Sequence, residues 1–161
     1  FGGAFCVGNT LAFQMDAGEL NAFLSGVAAA LAPGAPFLMQ LLNYERILGQ
    51  GVRSLPLNFR PLPPEEGEGE IVFLRLFRDE NHPWLDFAPI TLTIEPQADP
   101  PVRLRSAKRG RHRPWVRADL ARALAEAGFD RRRVYGGMSG SVPYVPDESH
   151  DLVIVAWRNE S

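Results

Sequence analysis

The chain has 161 residues, 45% of them hydrophobic and 22% charged, with a formal net charge of -2. That suits one soluble domain, with room for an insertion, burying roughly two-thirds of its unfolded surface. The near-neutral balance argues neither for nor against a nucleic-acid partner, no apolar run approaches the ~20 residues needed to cross a bilayer, and the single cysteine, Cys6, excludes an internal disulfide framework.

A lone cysteine and the absence of a secretory leader pattern point to a reducing, cytoplasmic setting. The chain opens without a methionine and almost at once with a strand, which suggests an excised piece of a longer fold. That strand is the apolar run Ala4-Phe5-Cys6-Val7, stopped by Gly8-Asn9-Thr10. Asp16 is placed to accept from the first free N–H groups of a helix, and Leu20, Phe23, Leu24, Val27 and Leu31 recur at helical spacing. Pro33-Gly34 ends the helix. Phe37 to Leu42 is a second apolar strand, stopped by Asn43-Tyr44. Two strands joined by a helix form a βαβ unit, and each delivers an asparagine to the carboxyl edge where open α/β sheets bind ligands. A short helix over Tyr44–Leu48 follows.

The composition then shifts. Leu55 to Gly69, rich in proline and glutamate, reads as a linker or loop. Ile71–Phe77 and Ile90–Ile94 read as strands, with Val102–Arg105 a third, so residues 50–110 form a small antiparallel insertion. It is either a lid or substrate wall, or a meander with no ligand role. Val116–Ala127 returns to helix, and Gly128 supplies the left-handed stop. A short strand starts at Val134-Tyr135, a glycine-rich loop runs from Gly136 to Pro146, and Leu152–Trp157 is a wholly apolar, central strand. The last two strands are too close in sequence for a helical crossover and must be antiparallel.

One further constellation, a basic one, invites chemistry. Arg103, Arg105, Lys108, Arg109, Arg111, His112, Arg113 and Arg117, with Arg131-Arg132-Arg133 further on, permit a phosphate-tracking surface. The blander alternative, a solvated face balanced by Glu65, Glu66, Glu68 and Glu70, is preferred. His82, His112 and His150 are scattered, no spacing suggests a metal site, and Cys6 reads as packing.

The motifs Val7-Gly8-Asn9-Thr10-Leu11, Leu31-Ala32-Pro33-Gly34, Leu42-Asn43-Tyr44-Glu45-Arg46-Ile47-Leu48, Leu124-Ala125-Glu126-Ala127-Gly128-Phe129, Tyr135-Gly136-Gly137, Tyr144-Val145-Pro146 and Asp151–Ala156 resemble class I S-adenosylmethionine-dependent methyltransferases, nearest in pattern to the glycine N-methyltransferase-like enzymes. The resemblance spans the chain but is weak over 50–110. It implies an α/β, Rossmann-like sheet lacking its N-terminal strands, those that carry the glycine-rich loop and the acidic ribose contact, with an antiparallel β insertion. It implies segments 1–49, 50–110 and 111–161, the outer two being halves of one sheet. The implied cofactor is S-adenosylmethionine and the implied partner a small-molecule methyl acceptor, with no membrane. The alternative is a non-catalytic binding module of the same fold that contacts nucleic acid through its arginines.

The resemblance assigns Asn9 the catalytic, orienting role beside the transferring methyl. It gives Val7, Gly8, Asn9 and Thr10 to the cofactor, Asn43 and Tyr44 to the substrate, and no residue to a metal. Two positions depart from the pattern. Leu42 stands where glycine N-methyltransferases carry a carboxylate-clamping arginine, which argues against glycine as the acceptor, and Phe13 replaces a histidine of the family. With its first strand unpaired on one side, the isolated chain is expected to self-associate or to be marginally stable, and not to bind the cofactor alone.

Overall fold

A computed structural model describes residues 1–81 and 83–160; His82 lies outside the described residues. The chain divides into two units, Phe1–Gly51 with His112–Ser161, and Val52–Arg111.

The first unit is a four-stranded mixed sheet. Strand β1 (Ala4–Cys6) pairs in parallel with β2 (Pro36–Leu42). The crossover is helix α1 (Ala17–Ala30). Its start is a reciprocal cap: Asp16 Oδ1 accepts from Glu19 N at 2.8 Å and Glu19 Oε2 accepts from Met15 N at 2.6 Å. Helix α2 (Tyr44–Gly49) follows β2 directly.

Strand β9 (Asp151–Trp157) inserts antiparallel beside β2, and β8 (Arg131–Tyr135) pairs antiparallel with β9. The order is therefore β1-β2-β9-β8, with β9 central. Helix α3 (Arg117–Glu126) precedes β8. It ends at Gly128, whose φ of 86° lets the Phe129 N–H reach back to Leu124 O at 2.9 Å.

Most of the core lies on one face of this sheet, with Val153 of β9 buried on the other. Phe37, Met39 and Leu41 alternate along β2 and are fully buried. Leu20 and Leu24 of α1, Leu120 and Leu124 of α3, and Phe129 close over them, with the Phe37 ring tilted against Phe23 and Phe129. Side chains on the opposite face of β2 (Leu38, Gln40, Leu42) are half-buried. Strand β1 lies at the sheet edge, Cys6 on it is half-buried, and Phe5 is 78% exposed.

The second unit is antiparallel: β3 (Asn58–Pro61), β4 (Glu70–Asn81), β5 (Trp84–Ile94) and β6 (Val102–Ala107) pair in that order, and β7 (Gly110–His112) also pairs with β5. Two expectations need correction. The proline-rich stretch read as a loop contains β3, an edge strand, where proline's missing N–H is tolerated. The strand read over Ile90–Ile94 begins at Trp84 instead: β5 runs through Pro89, whose carbonyl accepts from Lys108 N at 3.0 Å just past the end of β6. The absent donor therefore faces the end of the neighbouring strand, not its middle.

Candidate functional site

The carboxyl ends of the parallel strands β1 and β2 form one rim. After β1 the chain turns on Gly8 (φ 74°) and Asn9 (φ 64°), and among the described residues Asn9 is the one non-glycine in the left-handed region. Asparagine tolerates that conformation better than most residues. Thr10 Oγ1 donates to Val7 O at 2.8 Å and tightens the turn. Gln40 of β2 pins it: its Oε1 accepts from Gly8 N at 2.8 Å, its O accepts from Asn9 N at 3.3 Å, and its Nε2 donates to Asp151 Oδ1 at 2.8 Å. The outer surface of the turn is open. Gly8 and Thr10 are exposed, Val7 is partly so, and a side chain added at Gly8 would meet nothing within 4 Å.

Asn9 turns its amide along the rim. Oδ1 accepts from Leu42 N at 3.0 Å, which ties the turn to the last residue of β2. Nδ2 donates to the Tyr44 hydroxyl at 2.8 Å. That hydroxyl lies 3.0 Å from Nδ1 of His112, and Asn9 Nδ2 is 3.4 Å from the same nitrogen. Tyr44 and His112 are both buried, and Phe13 packs edge-on against the imidazole at 5.1 Å. Burial pushes the Tyr44 hydroxyl well above its ordinary pKa and His112 down to about 4. His112 is therefore neutral at physiological pH. In the assignment that satisfies the group, Asn9 donates to Tyr44 and Tyr44 donates to His112 Nδ1.

Asn43 is fully buried and holds structure together. Its Oδ1 caps α2 by accepting from Arg46 N at 3.3 Å and also accepts from Tyr144 OH at 2.8 Å. Its Nδ2 donates to Pro146 O at 2.7 Å and Ser149 O at 2.9 Å. The same Tyr144 hydroxyl, with one proton to give, also lies against the Glu45 carboxylate, so the proton is shared between the two acceptors. The glycine-rich loop is thus fastened to the end of β2. Gly136 is required where that loop closes, since a Cβ there would lie 2.4 Å from Ser149 Oγ and 2.7 Å from Pro143 O.

Of the residues singled out in the sequence, Val7, Gly8, Asn9 and Thr10 share one open turn, and Tyr44 joins Asn9 through its hydroxyl. Asn43 faces inward. His112 was grouped with the arginines and so missed. The available signal was alternation: on β7, Arg111 is exposed while His112 is buried.

The basic constellation is largely answered within the protein. Arg105 makes a two-toothed pair with Glu66, Arg103 lies near Glu95, and Arg109 and Arg111 flank Asp86. Arg113, Arg117 and Arg131 lie over the rings of Trp115, Tyr144 and Trp157. Among the described residues no group of three or more acidic, histidine or cysteine side chains is placed to hold a metal, and no helix is long and apolar enough to cross a membrane.

The fold is that of S-adenosylmethionine-dependent methyltransferases. CalS10, an amino pentose methyltransferase from Micromonospora echinaspora solved with S-adenosylmethionine bound, matches with a TM-score of 0.68 at 16% identity over 99% of this chain and 58% of its own. The sugar N-methyltransferase KedS8 from Streptoalloteichus sp ATCC 53650 matches at 0.67 and 16% identity, over 99% of this chain and 57% of its own. The CcbJ methyltransferase from Streptomyces caelestis matches at 0.66 and 20% identity, over 100% of this chain and 58% of its own. At such identities the likeness is one of fold, and this chain spans little more than half the length of the structures it matches. No family model and no curated protein sequence matches it.

Proposed function

We propose that this chain is part of an S-adenosylmethionine-dependent methyltransferase acting on a small-molecule amine, and that the Val7–Thr10 turn lies at the methyl end of the cofactor. The observation that carries this is the rim itself: adjacent parallel strands whose ends are locked together by Asn9, with an open, uncharged turn beside them. Strands equivalent to those that hold the rest of the cofactor in this fold would lie outside the 161 residues, in keeping with the 58% coverage.

The residues present fit one end of such a cofactor. The turn offers exposed backbone and the small side chains of Val7 and Thr10, and the glycine leaves room for close approach. S-adenosylmethionine, when bound, supplies an electrophilic methyl group on a cationic sulfur. Beside it, this chain's own residues fix direction. Asn9 is immobilised by Leu42 N and Tyr44, so its position is set before any ligand arrives, and orientation of that kind contributes effective molarities of about 10⁵–10⁸ M. Neutral His112 adds no positive charge next to a sulfonium. Tyr44 and Asn43 act here from behind the rim: both are buried, Tyr44 steadying Asn9 and Asn43 steadying the loop.

The nearer sequence likeness to glycine N-methyltransferases is weakened by Leu42 and Phe13. Two of the similar structures act on amino sugars or sugars, which favours a neutral, hydroxylated amine over an amino acid as acceptor. The test is calorimetric titration of S-adenosylmethionine into the protein at its natural length, paired with transfer of a labelled methyl group to a panel of amines. Binding that weakens in Asn9→Ala supports the proposal; binding indifferent to that change removes the role of the turn.

A further inference from the structure

The antiparallel unit carries a cavity of about 280 Å³, over strands β3, β4 and β5, that the methyl-transfer proposal does not use. The strand register decides which side chains share it. Asn58 pairs with Phe73, Phe73 with Thr91, Arg75 with Pro89 and Phe77 with Phe87, so all of these project from one face of the sheet. Arg60, two residues beyond Asn58 on β3, projects from the same face. Along β5, Pro89 and Thr91 form the floor. Phe73 and Phe87 bracket the Arg75–Pro89 pair along the ladder, and the buried Phe77 ring backs Phe87 at 5.5 Å.

The charge on this face is one-sided. Two guanidiniums and no acidic side chain line the cavity. Arg60 lies over the Phe73 ring, 5.5 Å from its centre. Arg75 Nη2 donates to the neutral carbonyl of Pro56 at 3.3 Å, and its Nε is buried with no hydrogen-bond partner among the described residues. A guanidinium so thinly paired gains more from an incoming acceptor than one already in an ion pair. The opposite face differs: there Asp86 stands between Arg109 and Arg111. An apolar slot between two rings, with two cations and no carboxylate, selects an anion that also carries a flat, apolar body.

We infer that this cavity binds a small arene carboxylate, its ring on Pro89 between Phe73 and Phe87 and its carboxylate drawn by Arg75 and Arg60. The volume is just below the roughly 300–1,000 Å³ typical of drug-sized ligand sites, so a one-ring ligand is accommodated. A planar guanidinium matches the two oxygens of a carboxylate. A cationic ligand would meet like charge, and an uncharged one would leave the arginines unused. The site lies wholly within Val52–Arg111 and holds whether or not the Asn9 rim takes S-adenosylmethionine.

The experiment titrates cinnamate, and separately neutral cinnamamide, against the protein at its natural length, with affinity read by calorimetry and ring contact by saturation-transfer NMR. The expected result is saturable cinnamate binding through its ring. Cinnamamide, and cinnamate with Arg60→Gln or Arg75→Gln, should each bind about tenfold more weakly, the loss of a hydrogen bond to a charged group. Arg60 is exposed on the edge strand β3, so its variant is read even where Arg75→Gln loosens the segment held through Pro56. Arg78→Gln, on the opposite face of β4, should change nothing. Thr91→Trp fills the floor and should abolish binding while circular dichroism confirms the fold. No binding, equal binding of acid and amide, indifference to both Arg60→Gln and Arg75→Gln, or an equal loss in Arg78→Gln would overturn the assignment.

Discussion

The Tyr44 hydroxyl and His112 Nδ1 lie 3.0 Å apart although 68 residues separate them in sequence. One residue follows β2 and the other ends β7, so the contact forms only after the inserted segment has returned the chain to the first sheet. Through Tyr44, the imidazole reaches Asn9 and the turn beyond β1.

His112 gives stability a pH signature. Its folded pKa is about 4 against 6.5 in the unfolded chain, because burial disfavours the charged ring. The unfolded state therefore binds more protons between those values. The contribution is complete above about pH 6.5, is lost as pH falls towards 4, and amounts to something of the order of 3 kcal/mol. Urea titrations of wild type and His112→Gln across this window should show a steeper fall in the wild type. Parallel curves would remove the histidine from the acid response.

Asn9 has two separable roles, left-handed backbone and polar tie. Asn9→Ala loses both: about 1–2 kcal/mol for an L-residue at φ 64° and about 1–3 kcal/mol for the orphaned Leu42 N–H. Asn9→Gly loses only the tie and should be the more stable variant by about 1 kcal/mol. Equal midpoints in denaturant would mean that the turn carries no conformational preference.

Asn43→Ala should destabilise by about 2–4 kcal/mol, since a buried amide with partners on both ends is removed. It should also release the loop from Gly136 to Pro146, read as faster limited proteolysis there. An unchanged cleavage pattern would show that Tyr144 and Ser149 hold the loop unaided.

The edge of β1 predicts association of the 161-residue chain, because three residues with an exposed Phe5 present unpaired backbone groups. Sedimentation velocity should show dimers or larger species that Phe5→Lys disperses. A monodisperse wild-type monomer would contradict this.

Much of the fold was legible because period and punctuation agreed. The Asp16 cap, the helical spacing of Leu20 and Leu24, and the stop at Gly128 each named an element that exists. Unbroken apolarity from Leu152 identified the central strand β9. The second unit was harder, since β3 and the first half of β5 carry prolines that count against strands until their unpaired side is known. The rim was half legible. The Gly8-Asn9 turn announced itself, but the inward aim of Asn43 and the burial of His112 depend on partners about 100 residues away.

The most direct measurement is nuclear Overhauser contact from S-adenosylmethionine carrying a ¹³C-labelled methyl group, bound to the protein at its natural length. Cross-peaks from that methyl to the side-chain methyls of Val7 and Thr10, weakened in Asn9→Ala, are the predicted result. A bound cofactor whose methyl contacts lie elsewhere, or a natural-length protein that does not bind it, would contradict the proposal.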